Sequence, residues 1–390
     1  MSRREAFPGI ETEDGKRHLR LTRGLVLTGR QVVLGLVAAL VLLALPDLMR
    51  VSDSLQLSVF HQGLLFGIAA VGLNLLVRHT GLVSFGHAAF FGTGAYTAAV
   101  LASKAGVNSF FVLLLAGVVV ATVMAAVIGA LSLRHTGLYF SLLTLAFGML
   151  LYSLVKGNEA FFNGTDGLPV RPDPAGRPLL LGQAFPPEVY NLLLYYLTLA
   201  ILAVLLLVMW RIVHSPFGNA LDAIGQNRTR ARFIGLPVER YVWLAFVISG
   251  LYGGVGGAVY ATLQLQIDPD GTLFVLRSGD ILFMAILGGY RTLVGPLVGG
   301  IVLVFLQDVG QDVTVYFEAL TGVVLLALVY GFPRGIVGSL QRDSRFRAGL
   351  RDLREDPSVV STWLARLRKS VADATRRAAE NLRIILTGIQ

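Results

Sequence analysis

Residues 57–77 read LSVFHQGLLFGIAAVGLNLLV and contain no lysine, arginine, aspartate or glutamate. A helix that crosses the hydrocarbon core of a bilayer needs about 20 mostly apolar residues. This stretch meets that requirement, and comparable apolar runs fill most of residues 31–332. The sequence therefore predicts an all-α, polytopic membrane helix bundle rather than a water-soluble domain.

About ten segments satisfy the same criterion, and eight or nine spans is the alternative count. The third segment is rich in glycine, which predicts a broken helix, and the eighth is short, which is typical of a re-entrant segment. Proline-rich residues 156–188 are expected to form an irregular loop. The candidate spans are residues 31–49, 57–77, 86–102, 110–132, 138–155, 189–210, 241–263, 278–290, 292–308 and 315–332.

The composition supports a membrane location and excludes some kinds of site. Of the 390 residues, 54% are hydrophobic and 15% are charged, whereas a soluble domain carries about 25% charged residues. The chain has no cysteine, which excludes disulfides and thiolate metal ligands. We expect no metal site and no bound cofactor in this chain.

The positive charges are concentrated in three patches that flank the apolar runs. Seven lysines and arginines precede the first candidate span, five lie between the sixth and seventh, and twelve follow the last. Positive charge collects in the cytoplasmic loops of membrane proteins, so the net charge of +9 indicates topology and not a nucleic-acid partner. The pattern predicts a cytoplasmic N-terminal segment, a transmembrane domain with a cytoplasmic loop at 211–240, and a cytoplasmic tail, over residues 1–30, 31–333 and 334–390.

Acidic residues are nearly absent from the middle of the candidate spans. Carriers driven by protons hold buried carboxylates there, but here the acidic residues lie near span ends, namely Asp47, Asp280, Asp308 and Glu318. We therefore expect the energy for any transport to come from outside this chain. An ion-coupled or passive carrier acting alone is the alternative, for example a sodium-coupled carrier with backbone carbonyl ligands.

No motif in the sequence supports an enzyme. The chain lacks the G-x-x-x-x-G-K-[ST] loop that cradles ATP phosphates, and it lacks the H-E-x-x-H zinc motif. Ser84 and His87 are three residues apart, but a hydrolase also needs an orienting acid and a nucleophile elbow. We expect no catalytic activity.

The loop between the sixth and seventh spans is longer than a connection requires. It reads WRIVHSPFGNALDAIGQNRTRARFIGLPVERY from Trp210 to Tyr241. Residues 218–234 predict one or two short helices with Gly225 between them, and Pro237 ends the helical pattern. Connections are usually much shorter, so the loop is interpreted as a docking element for a soluble partner. An ordinary positively charged loop is the alternative.

This loop resembles the coupling motif of ABC-importer permeases, in which E-A-A and a glycine precede I-x-L-P. Gly225 stands at the glycine position. Asn219, Ala220 and Leu221 stand at the E-A-A positions, and the motif ends with Ile234, Leu236 and Pro237. The resemblance implies that these seven residues contact an ATPase subunit.

A wider resemblance covers residues 55–335. The stretch GLNLLVRHTGLVSFGHAAFFGTGAYTAAVL at 72–101 is similar to the signature region of branched-chain amino acid permeases of the LivM type. Further matches are LYFSLLTLAFGMLL at 138–151, GTDGL at 164–168, SPFGNALDAI at 215–224 and ILFMAILGGYRTLVGPLVGG at 281–300.

The resemblance implies an importer in the bacterial cytoplasmic (inner) membrane. Its expected partners are two ABC ATPase subunits that bind ATP-Mg, a second, LivH-like permease subunit, and a periplasmic or lipid-anchored solute-binding protein. Branched-chain amino acids are the expected substrates. Urea, amides or aromatic acids are the alternatives within the family.

Two sets of residues are candidates for contact with the substrate or the binding protein. The entry to the third span places polar groups beside phenylalanines, as an amphiphilic substrate requires, although helix packing explains the same residues. These pathway candidates are Ser84, Phe85, Gly86, His87 and Tyr96. Candidates for contact with the binding protein are Thr165, Asp166 and Gly167.

The tail carries a basic amphipathic pattern. After Asp356 and Pro357, which are typical of a helix start, apolar residues recur mostly at three- and four-residue steps from Val360 to Ile385. Arginines and one lysine fill many of the other positions. Such a helix is expected to lie on anionic membrane lipids. Docking on the ATPase and a loosely ordered, topogenic extension are the alternatives.

Overall fold

The computed structural model describes residues 9–13, 16–22, 25–28, 42–46, 57–171, 176–180, 182–313, 317–332 and 334–342. The chain divides into two compact units, Met1–Val337 and Gly338–Gln390. The amphipathic helix predicted after Asp356 lies outside the described residues.

Helices make up most of the described chain from residue 57 onward. They alternate with short connections, except for the long loop that follows α6. The helices are α1 (residues 42–46), α2 (Leu57–Thr80), α3 (His87–Ser103), α4 (Phe110–Ser132), α5 (Leu138–Gly157), α6 (Glu159–Phe162), α7 (Pro187–Val213), α8 (Pro216–Gln226), α9 (Arg228–Phe233), α10 (Val238–Gln264), α11 (Pro269–Thr272), α12 (Val275–Gly288), α13 (Gly295–Val313), α14 (Phe317–Gly331) and α15 (Ile336–Arg342).

Within the described residues, six helical segments are long and apolar enough to cross a membrane. They are α2, α4, α5, α7, α10 and the segment Pro269–Gly288, which joins α11 to α12. The chain is therefore a multi-pass membrane protein. The total of about ten crossings and the cytoplasmic location of both termini stay predictions.

Nine of the ten candidate spans coincide with described helices. The first, residues 31–49, lies largely outside the described residues, and only 42–46 is described as helical. The third corresponds to α3, which is continuous from His87 to Ser103, so the predicted break within this span was wrong: its glycines serve close packing, and the non-helical residues 81–86 only connect α2 to α3. The eighth corresponds to α12, whose 14 residues reach only about 21 Å, less than the roughly 30 Å of the hydrocarbon core.

The N-terminal segment corrects the all-α prediction. Residues Gly9–Glu13, Lys16–Thr22 and Leu25–Thr28 form three antiparallel strands, β1, β2 and β3, in that order. Glu13 pairs with Lys16 across Asp14-Gly15, and Asp-Gly between strands is a strong hairpin signal. The all-α prediction was wrong for this segment because it rested there on the positive charges alone, and charge does not distinguish strand from helix.

The transmembrane helices pack at backbone contact through glycine. In α10, a Cβ at Gly257 would collide with the carbonyl oxygen of Phe91 in α3. A Cβ at Gly254 would meet the Cβ of Ala121 in α4 at 2.5 Å. Small residues favour helix association in lipid because close backbone approach increases van der Waals contact. These glycines are therefore structural, and α10 lies at the centre of the bundle.

The loop that carries α8 and α9 and the start of α15 lie at the same end of the bundle, here called the loop end. Asn74, near the end of α2, donates from Nδ2 to the carbonyl of Thr292 at 3.1 Å, in the connection after α12. Gly289 in that connection contacts Gly335, just before α15. The opposite end carries β4 (Leu168–Pro169), which pairs with β5 (Gln266–Ile267).

Candidate functional site

Helices α8 and α9 form a helical hairpin-like element outside the spans, here called the coupling element (residues 215–237). Ser215 caps α8 by accepting from the backbone N–H of Gly218 at 3.4 Å, and Asn227 caps α9 by accepting from the N–H of Arg230 at 2.9 Å. The two predicted helices are present. Their boundary is at Asn227 and not at Gly225, because Gly225 remains inside α8.

The inner face of α8 rests on the end of α2. Leu221 and Ile224 are fully buried. His79 Nδ1 and Asp222 Oδ1 are 2.6 Å apart, and the side chain of His79 is 3% exposed. A Cβ at Gly225 would collide with the carbonyl oxygen of His79. Glycine is thus required at 225 because α8 crosses the α2 backbone there.

Helix α2 is suited to carry a displacement from α8 into the bundle. It is buried along almost its whole length. Its backbone also contacts α13, because a Cβ at Gly63 would lie 2.7 Å from the Cα of Ile301. On another face, a Cβ at Gly72 would lie 2.6 Å from the Cβ of Tyr252 in α10. A shift of α2 must therefore move its neighbours, because close-packed interfaces do not deform gradually.

The outer face of the coupling element is apolar at its tip and basic around it. Phe233 is 86% exposed and Ile234 is 69% exposed. Arg232 is paired with Glu239 at the start of α10. Partial burial lowers the pKa of the Arg228 guanidinium, and the positive charge of Arg232 lowers it further. The tip is thus two large apolar side chains in a positively charged setting.

The predicted coupling residues divide between these two faces. Leu221 packs inward, and Ala220 and Leu236 are half-buried. The exposed positions are Asn219, Gly225, Ile234 and Pro237, although the backbone of Gly225 contacts α2. Three residues at this element, His79, Asp222 and Phe233, are not predicted from the sequence. The first two are 143 residues apart, and no local pattern links them.

The entry to α3 is a densely hydrogen-bonded contact between helices. Ser84 and His87 are fully buried, and His87 Nε2 lies 2.6 Å from Ser249 Oγ of α10. A Cβ at Gly86 would collide with the carbonyl oxygen of Thr144 in α5. Phe85 is half-buried beside them. In this conformation these four residues fix α3 against its neighbours, and their role in a pathway stays a prediction.

Tyr96, the fifth pathway candidate, lines a cavity of about 300 Å³ between α3, α4 and α5. The only hydroxyl groups among its lining residues are those of Tyr96, Thr93 and Thr97, and the rest of the lining is apolar. The apolar residues are Val100, Leu101, Val120, Met124, Leu151, Val155, Phe162 and Leu273.

The candidates for binding-protein contact lie at the end opposite the coupling element. Thr165 and Asp166 are exposed. Gly167 is buried with φ of 75°, and a Cβ there would collide with the carbonyl oxygen of Ile267. Gly167 therefore shapes the loop, and only the first two side chains are available to a partner.

The chain matches a known transport family over most of its length. Residues 55–332 match the family described as branched-chain amino acid transport system / permease component. The high-affinity branched-chain amino acid transport system permease protein LivM of Salmonella typhimurium is 26% identical over 73% of this chain and 71% of that protein. LivM of Escherichia coli K12 is 25% identical over the same shares.

LivH of Escherichia coli K12, also named as a high-affinity branched-chain amino acid transport permease protein, is 22% identical over 71% of this chain and 92% of that protein. No solved structure matches the chain. The match at 55–332 covers well over half of the chain and confirms the resemblance expected from the sequence. The chain therefore belongs to the branched-chain amino acid transport permease family and is of the LivM type.

Proposed function

We propose that this chain is the permease subunit of an ABC importer for branched-chain amino acids, moved by ATPase subunits that dock on the coupling element. Family membership supports this function, and LivM and LivH relatives carry that substrate class in their names. The LivH relatives favour a LivH-like second permease. The bacterial inner membrane is the location that such an importer requires.

The observation that carries the proposal is the exposed apolar tip. Phe233 and Ile234 are 86% and 69% exposed, on a loop that lies outside the spans and carries several arginines. Exposed apolar groups with a polar rim are typical of protein interfaces. Aromatic and arginine side chains are enriched in such interfaces. A soluble subunit is the partner that fits this chemistry.

The contacts of α8 suggest how the ATPase would drive the permease. Closure of an ATPase dimer on ATP-Mg would displace the tip, and α8 would transmit this displacement to α2 through the pair His79–Asp222 and the backbone contact at Gly225. The permease then alternates between two arrangements. Each bound ligand shifts the populations only by its differential affinity for them. A solute-binding protein would deliver substrate at the opposite end, near Thr165 and Asp166.

Reconstitution of the full transporter tests this function. The chain, a LivH-like permease, two ATPases and the solute-binding protein are placed in vesicles, and uptake of radiolabelled leucine is measured. We expect uptake that requires ATP and the binding protein. Leucine accumulation by the chain alone, driven by an imposed ion gradient without nucleotide, would contradict the proposal.

Phe233→Ala in the same system tests the docking surface. Truncation of a central interface aromatic costs about 2 kcal/mol or more, so ATPase recovered with the purified permease should fall at least tenfold. Phe111→Ala is the matched control, since Phe111 is 43% exposed on α4, away from the coupling element. Equal ATPase recovery with both variants would remove Phe233 from the docking surface.

A further inference from the structure

Helix α12 carries an ion pair deep within the bundle. Arg277 Nη1 donates to Asp280 Oδ2 at 3.1 Å, and the two side chains are 33% and 18% exposed. The guanidinium carbon lies 5.8 Å from the ring centroid of Phe66, the tenth of the 24 residues of α2. The sequence had suggested that Asp280 lies near a span end, but the pair lies close to the middle of α2.

The pair lies at the edge of a face of α12 that the described helices leave exposed, because Arg277 contacts Phe66 of α2 on one side. Leu276 and Phe283 flank the pair along the helix and are 58% and 45% exposed. Charged side chains at this depth face a protein interior or a water-filled passage and avoid lipid. This face is therefore covered in the membrane by something other than lipid tails.

Gly279, between these residues, makes no close packing contact with the described part of the chain. A Cβ added there would meet nothing closer than Phe283 Cε2 at 4.0 Å. In the same helix, a Cβ at Gly288 would collide with the carbonyl oxygen of Gly295. Glycine inside a helix costs about 1 kcal/mol relative to alanine. Because it has no side chain, Gly279 leaves a notch on the exposed face, beside the apolar side chains of Leu276 and Phe283 and beside the ion pair.

We propose that this face of α12, residues 276–283, is the amino acid site of the translocation passage, an inference that rests on the proposed function. A free amino acid presents a carboxylate, an ammonium group and a side chain within a few ångströms of one another. The Arg277 guanidinium offers a planar fork of donors to the carboxylate, and Asp280 accepts from the ammonium.

The apolar part of the substrate would lie against Leu276 and Phe283, in the notch at Gly279. Phe66 contacts the Arg277 guanidinium, and the ring of Phe66 is itself stacked on Phe91 at a centroid distance of 4.6 Å. The guanidinium is thus positioned before substrate arrives. Opening the existing ion pair would offset part of the binding free energy, which suits a site that must release its ligand.

Gly279→Leu in the reconstituted transporter tests the site. The leucine side chain would fill the notch, and we expect leucine imported per ATP hydrolysed to fall at least tenfold. Gly322→Leu in α14 is the matched control, because a Cβ at Gly322 meets nothing within 4 Å. The leucine that Gly322→Leu imports per ATP hydrolysed should stay within twofold of the value for the unchanged transporter.

Exchanging the charges, Arg277→Asp with Asp280→Arg, provides a second test. The exchange keeps an ion pair at the same spacing but removes the guanidinium from Phe66. We expect the exchanged variant to import at least tenfold less leucine per ATP hydrolysed than the unchanged transporter, although the complex is recovered intact. If the exchanged variant imports as much leucine per ATP as the unchanged transporter, the pair only stabilises α12 and the proposal is overturned.

Two further outcomes would also overturn it. Loss of the second permease on purification of Gly279→Leu would identify this face as a contact between permease subunits. An unchanged import ratio in that variant would exclude the notch as a site. Failure of the unchanged transporter to import leucine with ATP would instead count against the proposed function, so the two failures are distinguishable.

Discussion

Replacing Gly225 with leucine is expected to reduce ATP-driven leucine uptake at least tenfold. The added Cβ collides with a backbone carbonyl, that of His79, which cannot rotate away as a side chain can. Helix α8 must then lift from α2, and the pair of His79 with Asp222 must lengthen. Overpacking of this kind costs about 1–3 kcal/mol, and about 1.4 kcal/mol is a tenfold change in an equilibrium.

The control for this variant is Gln226→Leu, one position further along α8. Gln226 is exposed, so the same side chain is added without entering the contact with α2. Uptake rates and the amount of complex recovered are measured for both variants in parallel. If Gly225→Leu transports as well as Gln226→Leu, the close crossing of α8 and α2 has no part in coupling.

Gly257→Val is expected to destabilise the bundle itself. A Cβ at this position collides with the carbonyl oxygen of Phe91 and would force α3 away from α10. The free energy of unfolding should fall by about 3 kcal/mol, the upper part of the usual range for overpacking. By the scaling that holds for globular domains, the midpoint of thermal unfolding in detergent should then fall by roughly 6–12 °C.

Gly322→Val is the matched control for this stability measurement. Gly322 also lies in an apolar helix, α14, but an added Cβ meets nothing within 4 Å. Its unfolding midpoint should remain within about 2 °C of that of the unchanged chain, because surface changes usually cost under 0.5 kcal/mol. Equal midpoints for the two variants would contradict the structural role assigned to glycine in α10.

Helix positions in this chain follow closely from its sequence. Uninterrupted apolar runs have one stable form in a bilayer, so the predicted span 110–132 is the same as α4. The small sheet at residues 9–28 was missed because short strands leave a weaker signal than apolar helices. Asp14-Gly15 was the local signal that could have revealed it.

The contacts that give the candidate sites their geometry were less predictable. Gly225 was singled out by its motif, but the carbonyl of His79 that requires it is distant in sequence. Asp280 was set aside as a span-end residue, because sequence alone did not reveal that α12 starts at the depth of Phe66. The depth of a helix in the membrane and the neighbours that its side chains face depend on tertiary packing. No local pattern in a single sequence encodes that packing.

The most direct test of the account is a crosslink from α9 to the ATPase. The chain has no cysteine, so Thr229→Cys, at an exposed position of α9, introduces a single thiol that can carry a photoactivated crosslinker. In the assembled transporter we expect this position to label an ATPase subunit, whereas Phe111→Cys on α4 should label none. Absence of any ATPase adduct from position 229, in a complex that imports leucine with ATP, would contradict the claim that ATPases move this permease through the coupling element.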